Sequence, residues 1–243
     1  EPKPHYADYY ERALFNGILP TQEPGNGMMM YYVAMASGLY KTFMSPLSSF
    51  WCCTGTGMEN HAKYGDSIYF HDNQGIYINL FIASELNWPE KGVRLRQETN
   101  FPEEERTTLV LSVSKPAELA LYIRIPYWVE QGGEVKINGK SLETFASPSS
   151  YLVLKRKWKD GDRVELTLPM GFYLDRMPDN PNLAAIMYGP LVLAVELGSE
   201  GLAEAKVYGE YGPSGDPVPV PKLVAAQDDP KSWIKAVPGK PLT

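Results

Sequence analysis

The chain has 243 residues, 44% of them hydrophobic and 21% charged, which is typical of a globular protein with enough chain to bury a core. No stretch approaches the roughly 18 apolar residues of a membrane-spanning helix, so we expect no membrane partner. The net charge of −6 disfavours binding to the negatively charged phosphate backbone of a nucleic acid, so we expect no nucleic-acid partner. The only two cysteines, Cys52 and Cys53, are adjacent, which excludes the disulfide framework of small secreted proteins.

The first part of the chain, residues 5–67, has mostly helical patterning. Over residues 5–17 the apolar positions recur at the spacing of one helix face, and Asn16-Gly17 predicts a left-handed stop. The members of this face are Tyr6, Tyr9, Tyr10, Ala13 and Leu14.

A second short helix is predicted just after the cysteine pair, over residues 56–66. Thr56 is a candidate N-cap, and Glu59 follows three residues later, which is the spacing of a capping box.

From Ser67 onward the apolar residues alternate with a period of two, and tight-turn dipeptides separate the runs. The sequence therefore predicts a mainly β protein: a β-sandwich over residues 68–243, preceded by a helical segment over residues 1–67. The last stretch, from Gly198, is expected to form a covering loop with one or two short strands. The predicted strands are 68–70, 75–83, 93–101, 107–115, 118–126, 134–138, 151–155, 163–168, 172–176 and 183–195.

The helical segment of about 60 residues is too small to bury its own apolar faces. Its amphipathic helix and aromatic residues therefore predict a further helical layer upstream. The chain also begins at Glu1-Pro2 with neither Met nor a targeting signal, and we expect it to be a piece of a longer protein.

The adjacent cysteines are the sharpest chemical feature. Two glycines and a predicted helix start follow them, and backbone N–H groups at such a start favour a thiolate. A thiolate serves equally as a nucleophile and as a zinc ligand, although two thiolates alone do not complete a zinc site. Two other interpretations of the cysteine pair stay open: a buried pair with a packing role only, and a catalytic Cys–His dyad with His61.

The segment 51–64, WCCTGTGMENHAKY, resembles the signature of the β-L-arabinofuranosidases of glycoside hydrolase families 127 and 146. The segment 10–19, YERALFNGIL, is similar to the helix that precedes the family's site. Further segments resemble its β-sandwich, namely 67–70, 76–84, 121–128 and 188–194.

The resemblance implies an (α/α)6 barrel, completed by residues 1–67 of this chain, followed by β-sandwich domains. It implies retaining hydrolysis of an arabinose-containing glycan by a cysteine nucleophile on zinc. Carried over by position, Cys52 is the nucleophile and a zinc ligand, and Cys53 is a second ligand. Tyr32 resembles an active-site tyrosine, and Glu59 and Asn60 match the helix that follows and are candidate substrate contacts.

The sequence departs from the family pattern at the metal site. The family's zinc site also takes a Glu and a third cysteine upstream, but this chain has no third cysteine and no Glu-x-Cys before the pair. We therefore expect the isolated chain to be inactive, with its missing ligands and acid/base Glu in an upstream barrel. The competing hypothesis is a non-catalytic β-sandwich module for glycan binding or domain packing.

Overall fold

A computed structural model describes residues 2–196, 198, 200, 217–221, 224, 228–235 and 237. The chain forms two compact units. One comprises Glu1–Glu11, Asp66–Val192 and Asp229–Thr243, and the other comprises Arg12–Gly65 and Leu193–Asp228. Most of the predicted covering loop after Gly198 lies outside the described residues. Within the described part of the chain, no helix is both long and apolar enough to cross a membrane.

The β-rich part confirms the predicted sandwich and contains thirteen strands among the described residues. They form a four-stranded sheet in the order β1-β2-β6-β9, a six-stranded sheet in the order β3-β4-β5-β10-β7-β8, and a small sheet β11-β12-β13. The strands are β1 (Tyr69–His71), β2 (Gly75–Ile78), β3 (Ser84–Trp88), β4 (Val93–Thr99), β5 (Arg106–Val113), β6 (Ala117–Ile125), β7 (Glu134–Ile137), β8 (Lys140–Ser141), β9 (Ser150–Trp158), β10 (Arg163–Thr167), β11 (Phe172–Arg176), β12 (Ala184–Tyr188) and β13 (Leu191–Val192).

The sandwich core follows from the period-two patterning. On β6 the residues Leu119, Leu121, Ile123 and Ile125 point inward, and they share one buried cluster with Leu111 and other residues of the six-stranded sheet. Two sheets with alternating apolar residues bury those residues best by facing each other.

The predicted strand 75–83 is shorter in the structure and ends at Ile78. Beyond it, the carbonyl oxygens of Leu80 and Ile82 accept hydrogen bonds from the side-chain amide of buried Gln97, at 3.0 and 2.8 Å. A side chain from β4 thus satisfies backbone groups that a longer strand would have paired in a ladder. The next strand, β3, was not predicted.

Helix α1 (Pro4–Ala13) confirms the first predicted helix, but of its expected apolar face only Leu14, just beyond the helix, is buried. Tyr6 and Tyr9 are 64% and 76% exposed, whereas the buried face carries Ala7, Asp8 and Glu11. The expected left-handed stop is also wrong, because the backbone continues through a π-helical turn, Leu14–Ile18, in which Gly17 has no positive φ.

Two carboxylates point inward from α1 because they pair with the fully buried guanidinium of Arg124 on β6. Nη1 of Arg124 donates to Asp8 at 2.6 Å, and Nη2 donates to Glu11. Trp128 Nε1 also donates to Glu11 at 2.8 Å, and Ser149 donates to Asp8 at 2.9 Å. Burial alone would lower the pKa of Arg124, but the charges and hydrogen bonds of Glu11 and Asp8 outweigh it and raise that pKa.

Helix α2 (Cys52–Lys63) confirms that a helix lies in this region, but it includes the cysteine pair and begins four residues before the predicted start. Thr56 is therefore not the N-cap; its hydroxyl donates to the carbonyl of Cys52 at 3.2 Å, inside the helix. Trp51 occupies the N-cap position in an extended conformation. The cysteines thus lie within the first helical turn.

A glycine of α2 allows this helix to pack closely on the segment before it. Gly57 is buried, and a Cβ atom at this position would lie 2.8 Å from Cγ of buried Met29. The Met29 carbonyl accepts a hydrogen bond from the amide of Met44 at 2.9 Å, which fixes that segment. The packing therefore has no room for a side chain at position 57.

We predict that Arg124→Met lowers the free energy of unfolding by about 3–5 kcal/mol, because Asp8 and Glu11 remain buried without their cation. Arg94→Met is the control: its partner is Glu85, both side chains are about half exposed (57% and 47%), and the expected loss is under about 1 kcal/mol. Urea denaturation followed by tryptophan fluorescence measures both. Equal losses would contradict the role of the buried pair.

Two glycines of α2 provide a second, matched test. Gly55→Ala adds a methyl group in open space and should stabilise the helix by about 1 kcal/mol, since alanine is the better helix former. Gly57→Ala should lose that gain or destabilise, because the new Cβ meets Met29. Amide exchange across α2 measures the difference, and the idea fails if both variants stabilise alike.

Candidate functional site

The two thiols stand together at the start of α2. Their Sγ atoms are 3.7 Å apart, and neither cysteine forms a disulfide. Cys52 is exposed and Cys53 is partly exposed. The unpaired N–H groups of the first helical turn carry a partial positive charge, which favours an anion at this point.

Tyr31 also belongs to this site, although it was not among the residues predicted from the sequence. Its hydroxyl lies 3.5 Å from Sγ of Cys52. This hydrogen bond is the main cause that lowers the pKa of Cys52, and the bond to Cys53 acts in the same direction. The same contacts raise the pKa of Cys53 and of Tyr31. Cys52 is therefore the thiol that ionises first.

The aromatic residues beside the thiols pack edge to face. The ring of Tyr31 lies 5.6 Å from that of Trp51 and 4.7 Å from that of Tyr32, with near-perpendicular planes in both pairs. Tyr32 itself is 59% exposed. In the sequence, Tyr31 belongs to a group of aromatic residues near the cysteines, together with Tyr32 and Trp51. The sequence alone could not show which of the two tyrosines contacts the sulfur.

The other candidate residues, Glu59 and Asn60, follow on the same helix. Glu59 is exposed and Asn60 is partly exposed. Glu59 is seven residues after Cys52, which places it two turns along the same helical face, about 10 Å along the axis. The structure thus places these residues on one helix with the thiols, at a distance that a bound molecule could span.

His61 does not form a dyad with the cysteines. It is nine residues beyond Cys52 on α2, about 13 Å along the axis. Its Nε2 instead accepts a hydrogen bond from the side-chain amide nitrogen of Gln22 at 3.0 Å, because an amide nitrogen can only donate. A general base must be within hydrogen-bond reach of its nucleophile, so this geometry does not support the hypothesis of a thiol hydrolase with a Cys–His dyad.

The thiol pair fits two positions of a zinc site. Two thiolates on one tetrahedral zinc, each about 2.3 Å from the metal, are about 3.8 Å apart. The observed 3.7 Å matches this separation. Within the described residues, however, no group of three or more His, Cys, Asp or Glu side chains is arranged to hold a metal. The described residues supply two soft donors, and further ligands would have to come from elsewhere.

Family comparison assigns both parts of the chain. Residues 1–66 match the GH127 catalytic domain of β-L-arabinofuranosidase, and residues 75–170 match the GH127 middle domain. A non-reducing end β-L-arabinofuranosidase of Bifidobacterium longum subsp. longum is 26% identical, over 81% of this chain and 32% of that protein.

Similar solved structures belong to the same family. A GH127 β-L-arabinofuranosidase from Geobacillus stearothermophilus T6 is similar with a TM-score of 0.66 and 27% identity, over 79% of this chain and 33% of that one. A GH127 β-arabinofuranosidase is similar with a TM-score of 0.67 and 25% identity, over 78% and 33%. The chain thus spans about a third of the length of these relatives. It belongs to glycoside hydrolase family 127, of which it carries part of the catalytic domain and the middle domain.

Proposed function

We propose that this chain is part of a retaining glycoside hydrolase that removes β-L-arabinofuranosyl residues from arabinose-containing, plant-type oligosaccharides or polysaccharides. The observation that carries the proposal is the exposed Cys52 thiol, which starts α2 and accepts hydrogen bonds from Tyr31 and Cys53 that favour its thiolate. Two of the similar proteins are β-L-arabinofuranosidases, which supports the proposed substrate class.

In the proposed reaction the sulfur of Cys52 attacks the anomeric carbon. The new S–C bond forms as the glycosidic C–O bond breaks, and the departing oxygen takes a proton from a carboxylic acid outside this chain. Water then gives a proton back to the same carboxylate and displaces the sulfur, which releases arabinose and restores the thiolate. Two displacements at one carbon retain its configuration.

Other residues of the chain bind and orient the sugar in this proposal. Tyr32 offers an exposed ring beside the thiols, and Glu59 and Asn60 offer hydrogen-bonding groups on the same helix. Tyr31 keeps its proton because the neighbouring sulfur raises its pKa, so it remains a donor to Cys52. These residues position the substrate against an already polarised nucleophile.

Cys52 and Cys53 would hold a zinc ion together with ligands from the rest of the protein. A bound zinc keeps its thiol ligands deprotonated at neutral pH. Because this chain contributes only two of the three or four ligands that a zinc site needs, we propose that it is inactive in isolation and binds zinc weakly.

The nucleophile is tested in the full-length protein. Cys52→Ser should lower hydrolysis of a β-L-arabinofuranosyl substrate by more than about 1,000-fold without unfolding the protein, because a hydroxyl is a far weaker nucleophile than a thiolate. Ala62→Ser, an exposed change later on α2, is the control and should keep full activity. Full activity in the Cys52 variant would refute the assignment.

The metal is tested by zinc content and thiol counting. Full-length protein should carry one zinc, and its removal by a chelator should make both thiols reactive toward a colorimetric thiol reagent. Cys53→Ser should reduce zinc content by at least about tenfold, since a ligand is lost. Absence of metal together with slowly reacting thiols would favour the competing hypothesis of a non-catalytic module with an inert pair.

A further inference from the structure

The backbone around the cysteine pair is held in place from both sides. The pair occupies the first turn of α2, directly before Thr54. The Thr54 amide donates to the carbonyl of Trp51 at 3.0 Å, and the Thr54 hydroxyl donates to the carbonyl of Ser49 at 2.8 Å. Ser49 is buried, so this anchor is packed away from solvent. Both thiols therefore stand on a fixed stretch of chain.

This backbone does not let the two sulfur atoms join in a disulfide. The Cα atoms of adjacent residues are about 3.8 Å apart, whereas a disulfide needs roughly 4.4 Å or more. The Sγ atoms are 3.7 Å apart. Closing them to a bond would distort the peptide between the cysteines and unwind the first turn of α2. The pair therefore persists as an open dithiol.

A single thiophilic atom can bridge the separation that a disulfide cannot close. Trivalent arsenic bonds to sulfur at about the same length as zinc does, roughly 2.3 Å, and two such bonds at roughly 100° place the sulfur atoms about 3.5 Å apart. The observed separation is 3.7 Å, so a small rotation of the two side chains reaches this spacing.

The number of donors suits arsenic better than zinc. A zinc site takes three or four protein ligands, and within the described residues no group of three or more His, Cys, Asp or Glu side chains is arranged to hold a metal. A trivalent arsenical with one organic group needs only two thiolates, because that group fills the third position. Two thiols are too few for zinc but complete the site for this ligand.

The surroundings of the pair have room for the organic group. Cys52 is exposed and Cys53 is partly exposed. Gly55 lies three residues after Cys52 on the same face of α2, and a Cβ atom there would meet no neighbouring group within 4 Å. The ring of Tyr31, whose hydroxyl lies 3.5 Å from Sγ of Cys52, gives an aromatic surface beside this space. An aryl group therefore fits here best.

We propose that Cys52 and Cys53 form a chelating site for trivalent arsenicals that carry one organic group. With phenylarsine oxide as the probe, the two thiols give their protons to the arsenic-bound oxygen, two As–S bonds form, and the oxygen leaves as water. Arsenic stays trivalent, so no oxidant or reductant takes part. The inference goes beyond the proposed glycosidase, because it needs no substrate, zinc or acid/base residue.

Mass spectrometry and thiol counting test the site on the reduced 243-residue chain. We expect one phenylarsenic group per chain, with both thiols lost together to a colorimetric thiol reagent. Ala62→Ser, which keeps both cysteines, is the control and should give the same result. Two arsenic groups per chain, or the loss of one thiol only, would contradict chelation.

The bridge between the two sulfur atoms is tested with Cys53→Ser. Release of the arsenical by the monothiol mercaptoethanol should need at least about 100-fold more reagent from the unaltered chain than from the variant, because two linked bonds hold the arsenic. The dithiol dithiothreitol should release it from both. Cys52→Ser should behave like Cys53→Ser, and circular dichroism shows which variants keep their fold.

Two further results would overturn the proposal. One is equally easy release from the unaltered chain and from both single variants. The other is closure of the pair to a disulfide by oxidised glutathione, with release of two molecules of glutathione, since the backbone would then not hold the pair open. Neither result bears on the proposed glycosidase, whose test is the activity of full-length Cys52→Ser protein.

Discussion

The guanidinium of Arg124 is wholly buried and paired with two carboxylates of α1, and this interaction determines how the helix lies on the sandwich unit. By the alternation of β6, Arg124 points to the outer face of the four-stranded sheet, where solvent would normally be. The helix excludes that solvent and replaces it with Asp8 and Glu11. Such a pair costs desolvation and tolerates no missing partner, so it fixes one geometry rather than adding much net stability.

The same network explains which side of α1 is left uncovered. Since Asp8 and Glu11 must face the sheet, Tyr6 and Tyr9 must face away. Turning the helix to bury both tyrosines would move the two carboxylates into water and leave Arg124 unpaired, because the two sets occupy different faces of one helix. The helix therefore has its carboxylates inside and its aromatic rings outside because of a single buried cation.

The chemistry of the second unit depends on a comparable local constraint. Gly57 brings α2 against Met29, and the helix begins at the cysteines, so both thiols stand in its first turn. The two sulfur atoms lie only 3.7 Å apart because the cysteines are consecutive residues in that first turn. Tyr31, from a segment 21 residues earlier, completes the cluster and distinguishes the two thiols electrostatically.

The sequence by itself determined the sandwich and the thiol pair. Strand alternation is a local property of the chain, and the motif around Cys52 and Cys53 is contiguous, so both are readable without a structure. Only the tertiary structure decided the end of β2, the buried face of α1 and the role of Tyr31. Each depends on a side chain distant in sequence, namely Gln97, Arg124 and Cys52, and helical or strand periodicity carries no record of such partners.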